Sequence, residues 1–285
     1  MVCLESTELS DTGRRRQDND DACLRLPDQG IFCIADGMGG VVGGDLASEA
    51  ITTALQEVFT KDAPTDQAHL PGRIALFQKG VNQASQWIKR FADEKGIRQM
   101  GSTVVALLFD PRNPDCAVGL HAGDSRLYRY RLGVLKLLTS DHTAMALLSG
   151  KLGCTPASLP ANFQNGLVRA VGLSETVDLE QTLVAVRSGD LFLLCSDGLT
   201  RMLPDAAIAA ILGEHAREVL DVSAKALVQA ANAAGGRDNI TIILVRAGEP
   251  EGLPEATQAE EETTVAASDS LATKRSSDVS EQSGN

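Results

Sequence analysis

Residues 31–40 read IFCIADGMGG, in which five apolar residues are followed by one acid and a glycine-rich turn. The length and branching of the apolar run predict a buried strand over residues 31–35. Asp36 therefore lies where a strand leaves the core. An acid in such a place must be paired, capped or coordinated, because an isolated buried carboxylate is costly. Asp36 is thus the first candidate for a functional side chain.

The composition favours a globular protein without a membrane partner. The 285-residue chain is 43% hydrophobic, which suffices for a buried core in one large domain or two small ones. Its longest apolar stretches, such as residues 191–195 and 240–245, are far shorter than a bilayer crossing, and its first residues lack a secretory pattern. We therefore expect a cytoplasmic protein.

The charge of the chain is acidic and unevenly distributed. A formal net charge of −12 disfavours nucleic acid as a partner and suits cations or basic partners. Residues 249–285 contain nine acids against two bases, a formal charge of −7, and few large apolar residues. Such a segment cannot offset its ordering entropy by burial. We predict a folded domain over residues 1–247 and a disordered, acidic, Ser/Thr-rich tail over residues 248–285.

Strand-like and helix-like segments alternate irregularly, without a fixed-period repeat. Strands are predicted at residues 31–35, 103–109, 117–122, 127–131, 134–138, 191–195 and 240–245. Helices are predicted at residues 45–59, 73–94, 144–151, 205–212 and 217–233. Because the strands come mostly in adjacent runs and the helices in pairs between them, the order favours an α+β fold with segregated layers.

Further acids stand beside these strands. Asp124 and Asp197 each follow a predicted strand, Asp238 precedes one, and the pair Asp20 and Asp21 precedes an apolar alternation. A single Asp-Gly pair is usually only a turn. Carboxylates that meet at one sheet edge repel one another, however, unless cations neutralise them. The pattern therefore favours a site for a hard divalent cation.

The types of donor atom narrow the chemistry. Carboxylate and carbonyl oxygens suit Mg²⁺ or Mn²⁺, and no histidine is predicted as a ligand because the four histidines lack paired ligand spacing. The chain has no GxxxxGK phosphate loop and no GxSxG nucleophile elbow. The glycines after Asp36 also fail the dinucleotide fingerprint, because Val42 stands at its last glycine. Metal-assisted hydrolysis is then the leading enzymatic interpretation.

Eight motifs resemble, in order, those of the metal-dependent protein phosphatases (PPM, type 2C serine/threonine phosphatases) in their compact bacterial form. They are DTGRRRQDNDDA from Asp11, IADGMGG from Ile34, GSTVVALL from Gly101, AGDSRLYRYR from Ala122, LTSDHT from Leu138, LVRAVG from Leu167, LLCSDGLT from Leu193 and GGRDNITIILV from Gly235. Each motif is weak alone, but chance agreement of eight in order is implausible. The resemblance implies a four-layer α-β-β-α sandwich with two central, mainly antiparallel sheets and a binuclear metal centre at one end.

The resemblance also implies which residues hold metal ions, directly or through water: Asp20, Asp21, Asp36, Gly37, Asp124, Asp197 and Asp238. Asp36 would bridge two tightly bound Mn²⁺ or Mg²⁺ ions, and Asp124 would hold a third, labile ion. Asp20 and Asp21 would hold metal-bound waters. Asp20 replaces the more usual glutamate, so its reach is shorter.

The implied activity is the hydrolysis of phosphoserine and phosphothreonine by direct attack of a metal-bridging hydroxide. Arg16 has the position of the phosphate-binding arginine, whose guanidinium fork matches a phosphoryl group. Arg16, Asp36 and Asp124 are thus the predicted catalytic residues. Met38 stands where animal relatives carry a histidine thought to protonate the leaving alkoxide, and methionine cannot do so.

The expected partners are phosphorylated proteins and a serine/threonine kinase whose action the enzyme opposes in bacterial signalling, and a monomer is expected. One alternative is a non-catalytic phosphoprotein-binding module of the same fold, against which the retained Arg16 and Asp36 argue. Another is a metal-dependent hydrolase of small phosphoesters, which only the resemblance separates from a protein phosphatase. Substrate choice is predicted to depend on residues 143–166, where relatives carry a mobile flap.

Overall fold

The computed structural model describes residues 3–39, 43–61, 69–152 and 166–248, with side chains omitted for residues 149–152. Residues 249–285, nearly all of the predicted tail, lie outside the described residues. Residues 153–165 of the flap-like segment lie outside them as well. Among the helices that the structure describes, none is long and apolar enough to cross a membrane.

Strands form two sheets in which every pairing is antiparallel. The strands are β1 (Leu4–Asp11), β2 (Asp21–Leu26), β3 (Ile31–Met38), β4 (Gly101–Ser102), β5 (Val104–Phe109), β6 (Cys116–Ala122), β7 (Arg126–Arg131), β8 (Val134–Leu137), β9 (Glu180–Ala185), β10 (Leu191–Cys195) and β11 (Ile240–Ala247). The first sheet has the order β1-β11-β10-β7-β8, and the second has the order β2-β3-β5-β6-β9, with β4 paired to β3.

Helices cover the outer face of each sheet. The helices are α1 (Gly44–Lys61), α2 (Leu70–Lys95), α3 (Ala144–Leu152), α4 (Asp197–Thr200), α5 (Asp205–Glu214) and α6 (Leu220–Ala233). Side chains of α1 and α2, such as Ile51 and Phe77, form one core layer with the second sheet. Side chains of α5 and α6, such as Leu212 and Leu227, form another with the first sheet.

A third apolar layer lies between the two sheets. Phe109 stands edge-on to Phe32 of the same sheet and to Phe192 of the other, with ring centroids 6.1 and 5.9 Å apart. Such edge-to-face pairs suit the charge distribution of aromatic rings. The two sheets therefore stack on each other, and helices cover the outer face of each sheet. This arrangement of helices, sheet, sheet and helices confirms the predicted four-layer α-β-β-α sandwich.

Strands β1, β2 and β9, which the sequence pattern did not predict, lie at the edges of the sheets. An edge strand contributes little to the core, so its sequence carries few apolar residues. The residues of β1 and β9 are mostly half-buried or exposed. Their sequences therefore show polar alternation, without the apolar run that marks β3 or β10.

One end of the sandwich collects the acids. The antiparallel register places the carboxyl ends of β3, β6 and β10 at the same end as the amino ends of β2, β7 and β11. Each predicted metal-binding aspartate lies at one of these strand ends or within two residues of it. The fold thus carries side chains that are far apart in sequence to a common site.

Candidate active site

Asp36 lies near the end of β3, directly opposite Asp21 of β2 in the register. Its main chain is fixed by Thr103, because the Asp36 N–H donates to Thr103 Oγ1 at 3.2 Å and its carbonyl accepts from the Thr103 N–H at 2.9 Å. Like charges directly opposite each other on neighbouring strands are destabilising. The sheet therefore holds two carboxyl groups side by side where a cation would stabilise them.

Two glycines let the loops that bear aspartates approach one another. A Cβ atom at Gly37 would overlap the backbone of Gly44 and come within 2.6 Å of the Asp20 carbonyl oxygen. The Gly37 N–H donates to that same oxygen at 3.0 Å. A Cβ atom at Gly198 would overlap the carbonyl oxygen of Asn239. Both Asp-Gly pairs are thus places of close backbone contact as well as turns.

Asn239, which the sequence analysis assigned no role, holds the loop before β2 against the start of β11. Its side-chain amide donates to the carbonyl oxygens of Thr12 at 3.1 Å and Asp18 at 2.9 Å, and its Oδ1 accepts from the Asp20 N–H at 3.0 Å. Asn239 is only 4% exposed. These three hydrogen bonds position the loop that carries Arg16.

Arg16 reaches from this loop to the aspartates. Its Nη2 lies 2.9 Å from Asp238 Oδ1, and its Nη1 lies 3.9 Å from Asp20 Oδ2. Burial lowers the pKa of Arg16, but the neighbouring carboxylates, chiefly Asp238, together outweigh that effect and raise it. The side chain of Arg16 is 47% exposed, so part of the guanidinium remains open to a ligand.

Arg201, which the sequence analysis also missed, connects three of the predicted metal-binding aspartates. Its Nη2 pairs with Asp197 and lies 3.5 Å from Asp124 Oδ2, while its Nη1 lies 3.7 Å from Asp238 Oδ2. A sequence signal existed, since Arg201 follows Asp197 by four residues, the spacing of ion pairs on a helix. The structure therefore brings six aspartates together with two arginines.

The electrostatics of the site reflect this crowding. Burial raises the pKa of Asp36 well above its usual value, and the carboxyl groups of Asp21 and Asp197 raise it further. Burial also raises the pKa of Asp21 to about 6 and the pKa of Asp197 to about 7. The pKa values of Asp124 and Asp20 are raised as well, again chiefly by burial. The side chains around these carboxyl groups carry too little positive charge to keep their pKa values at the usual level.

This donor set fits a hard divalent cation. It consists of carboxylate oxygens, with backbone carbonyl groups nearby, and such oxygen ligands are those that Mn²⁺ and Mg²⁺ prefer. A bound cation would offset both the burial and the repulsion that raise the pKa values of Asp36 and Asp197. The chemistry of these residues is therefore consistent with the predicted metal centre.

A second group of potential ligands lies nearby, with donor atoms of His121, His142 and Glu180 within 4.8 Å of one another. His142 Nδ1 accepts from the Gly123 N–H at 3.2 Å, so its proton belongs on Nε2, which donates to Glu180 at 3.1 Å. A neutral imidazole with this tautomer has no Nε2 lone pair for a metal. Hydrogen bonding therefore accounts for His142, which supports the turn that carries Asp124. His121 differs, because its buried Nδ1 has no hydrogen-bond partner among the described residues.

Comparisons with known proteins agree with this geometry. A family model described as Protein phosphatase 2C matches residues 11–232. The serine/threonine phosphatase Stp of Listeria innocua is 32% identical over 243 residues, which cover 83% of this chain and 93% of that protein.

Two solved structures are also similar. One is PppA, described as a key regulatory component of T6SS in Pseudomonas aeruginosa, with 33% identity, a TM-score of 0.74 and coverage of 86% of this chain and 97% of that chain. The other is the catalytic domain of the serine threonine protein phosphatase PstP in complex with 2 manganese ions, with 28% identity, a TM-score of 0.73 and coverage of 87% of this chain and 100% of that chain. The chain therefore belongs to the protein phosphatase 2C family, the metal-dependent serine/threonine protein phosphatases.

Proposed function

We propose that this phosphatase removes phosphate from phosphoserine and phosphothreonine in proteins at the aspartate-rich end of the sandwich. The observation that carries the proposal is the convergence of Asp36, Asp21, Asp197 and Asp238 on one point, with Arg16 beside them. A phosphoryl group needs positive charge around its oxygens in the transition state. Arg16 supplies positive charge at this place, and cations held by the aspartates would add to it.

The proposed metal-holding residues are Asp20, Asp21, Asp36, Gly37, Asp124, Asp197 and Asp238, for two tightly bound ions and a third, labile one. When bound, such cations act as Lewis acids toward phosphoryl oxygens and lower the pKa of a coordinated water. Asp36 has the central place because four other aspartates influence its pKa. Mn²⁺ and Mg²⁺ are the proposed ions.

Arg16 is the proposed phosphate-binding residue. In this structure it pairs with Asp238 and Asp20. Its guanidinium group stays charged at all relevant pH values and offers paired N–H donors to a phosphoryl group. Arg16 therefore orients the phosphoryl group and offsets negative charge that develops on its oxygens.

Asp124 is the proposed residue for handling a proton near the leaving group. Its side chain is only 12% exposed, and burial raises its pKa. Met38 has no titratable group, so it cannot protonate the alkoxide of serine or threonine. We assign to Asp124 the labile ion and the positioning of a water that supplies this proton.

The proposal extends to the setting of the reaction. The net charge of −12 supports a protein partner over nucleic acid. We propose a cytoplasmic monomer that opposes a serine/threonine kinase, with a catalytic domain over residues 1–247 and an acidic tail over residues 248–285. Truncation after Ala247 should leave the melting temperature and the turnover nearly unchanged, and a large loss of either would reject the domain boundary.

The decisive experiment measures phosphate release by the purified protein from a phosphothreonine peptide and from a nucleoside monophosphate, with Mn²⁺ and with excess EDTA. We expect Mn²⁺-dependent turnover of the peptide and little turnover of the nucleotide. Faster turnover of the nucleotide would favour a hydrolase of small phosphoesters. Binding of the phosphopeptide without turnover would favour a non-catalytic module, and full turnover in EDTA would contradict the metal centre.

A further inference from the structure

Arg201 is placed where it meets three proposed metal ligands at once. Its guanidinium group pairs with Asp197 and approaches Asp124 at 3.5 Å and Asp238 at 3.7 Å. In each aspartate the nearest atom is a carboxylate Oδ2, an atom that a cation would also use. A metal ion and this guanidinium group therefore compete for the same oxygens.

The backbone of Arg201 is held by the local fold, whereas its side chain is partly exposed to solvent. Arg201 directly follows the short helix α4, and its N–H donates to the Asp197 carbonyl oxygen at 2.8 Å. Its side chain is 42% exposed, whereas the side chains of Asp124 and Asp197 are each 12% exposed. The guanidinium group thus enters from the solvent side and can withdraw to it without disturbing the core.

The charge of Arg201 is well suited to this place. A guanidinium group stays charged at all relevant pH values. It forms ion-pair contacts with Asp124 and Asp197, while Asp238 is shared between Arg201 and Arg16. It supplies part of the stabilisation that a bound ion would supply in their midst.

We infer that Arg201 is a built-in competitor of metal ions at the Asp124, Asp197 and Asp238 side of the centre. It stabilises the metal-free enzyme and has to leave when a cation binds there. This inference rests on the proposed metal centre. It also explains why the third ion would exchange readily. An ion held by Asp124 and Asp197 is labile because it displaces an arginine, in addition to having few charged ligands.

Thermodynamic linkage between the guanidinium group of Arg201 and a bound cation predicts two effects. Removal of Arg201 should tighten the weaker class of Mn²⁺ binding, because no cation then has to be displaced. Removal should also destabilise the metal-free protein, because the carboxyl groups lose their counter-charge. Both effects concern binding and stability, so neither depends on turnover.

The test is a calorimetric titration of Mn²⁺ into the full chain and into Arg201→Met, Arg201→Lys and Arg112→Met variants. Arg112 is exposed in the turn between β5 and β6, at the opposite end of the second sheet, and its variant controls for the loss of one positive charge. We expect Arg201→Met to lower the Kd of the weaker site by about 5- to 150-fold, the usual range of coupling between two equilibria. Arg201→Lys should lie between the wild type and Arg201→Met, and Arg112→Met should match the wild type.

Thermal unfolding with EDTA and with saturating Mn²⁺ gives an independent readout. Arg201→Met should lower the melting temperature in EDTA and enlarge the increase caused by Mn²⁺. A weaker-site Kd that Arg201→Met leaves unchanged or raises would overturn the inference. An unchanged Kd together with a raised KM for the phosphopeptide in steady-state kinetics would assign Arg201 to substrate binding instead. Failure of the metal centre itself would show separately, as tight Mn²⁺ binding that survives Asp36→Asn.

Discussion

The two sides of the acidic site differ in how their charges are balanced. On one side, Asp36 and Asp21 face each other across two paired strands, and the described residues contain no ion pair to either of them. On the other side, Asp124, Asp197 and Asp238 contact Arg201. We call these the strand side and the arginine side.

This difference would give the proposed metal ions unequal affinities. On the strand side the backbone fixes the carboxyl groups, and a bound cation meets no competing side chain. On the arginine side, side chains already supply positive charge, so a cation gains less there. Tight binding is therefore expected around Asp36, and exchangeable binding around Asp124.

The largest expected effect comes from the strand side. Asp36→Asn removes a charge while keeping the size of the side chain, so turnover of a phosphothreonine peptide should fall by about 10³-fold or more at saturating Mn²⁺. Calorimetry should show the loss of tight Mn²⁺ binding. Asp93→Asn, an exposed change on α2, is the matched control. Near-normal turnover of Asp36→Asn would show that the strand side does not hold the ions.

A smaller and more selective effect is expected on the arginine side. Asp124→Asn should keep tight Mn²⁺ binding but lower turnover of phosphothreonine by about 10²-fold, the usual contribution of proton transfer. The loss toward p-nitrophenyl phosphate should be smaller, because its leaving group needs no proton. Kinetics on both substrates and a Mn²⁺ titration provide the measurement. Equal losses on the two substrates would remove Asp124 from the proton-transfer role.

Substitution of Arg16 tests whether the arginine side also binds the phosphorylated substrate. Arg16→Ala should chiefly raise KM for the phosphopeptide, by about tenfold, because it removes charge-assisted hydrogen bonds to the phosphoryl group. Arg15→Ala, which changes an exposed neighbour, should alter KM little. Steady-state kinetics of the two variants decide the point. Equal changes in both would mean that the loop acts only through its general charge.

The residues of the strand side were easier to predict from the sequence than those of the arginine side. Asp36 stands out because it ends an apolar run, and apolar runs are the clearest sign of buried strands. The predicted role of Asp124, by contrast, came from the resemblance of AGDSR to a family motif. Arg201 was missed because its role depends on the α4 turn and on two strands distant in sequence.

The limits of the fold prediction have similar causes. Helix α2 begins at Leu70, three residues before the predicted start, because His69 Nδ1 accepts from the Gly72 N–H at 2.9 Å and Pro71 occupies the first turn. A histidine cap is a weak sequence signal, since Ser, Thr, Asp and Asn are the usual caps. Asn239 was likewise invisible, because its hydrogen bonds join segments more than 200 residues apart.

The smallest expected effect concerns the stability of the metal-free protein as pH rises. In the folded protein the pKa of Asp21 is about 6, above the ordinary value of 3.8. The folded state therefore keeps a proton that the unfolded state has released, and the free energy of unfolding contributed by Asp21 falls between about pH 4 and pH 6. One pKa unit corresponds to about 1.4 kcal/mol, so the contribution is about 2–3 kcal/mol.

Asp21→Asn isolates this contribution, because the amide cannot titrate. In EDTA, urea unfolding at pH 5 and pH 7.5 should show that the wild type loses about 1.4 kcal/mol more stability than the variant over this interval, because only the last pKa unit of the shift lies above pH 5. Saturating Mn²⁺ should reverse the trend for the wild type, because binding favours the ionised carboxylates. If the wild type and Asp21→Asn change in parallel with pH in EDTA, burial does not raise the pKa of Asp21 in the folded protein, and the strand side loses its distinction from the arginine side.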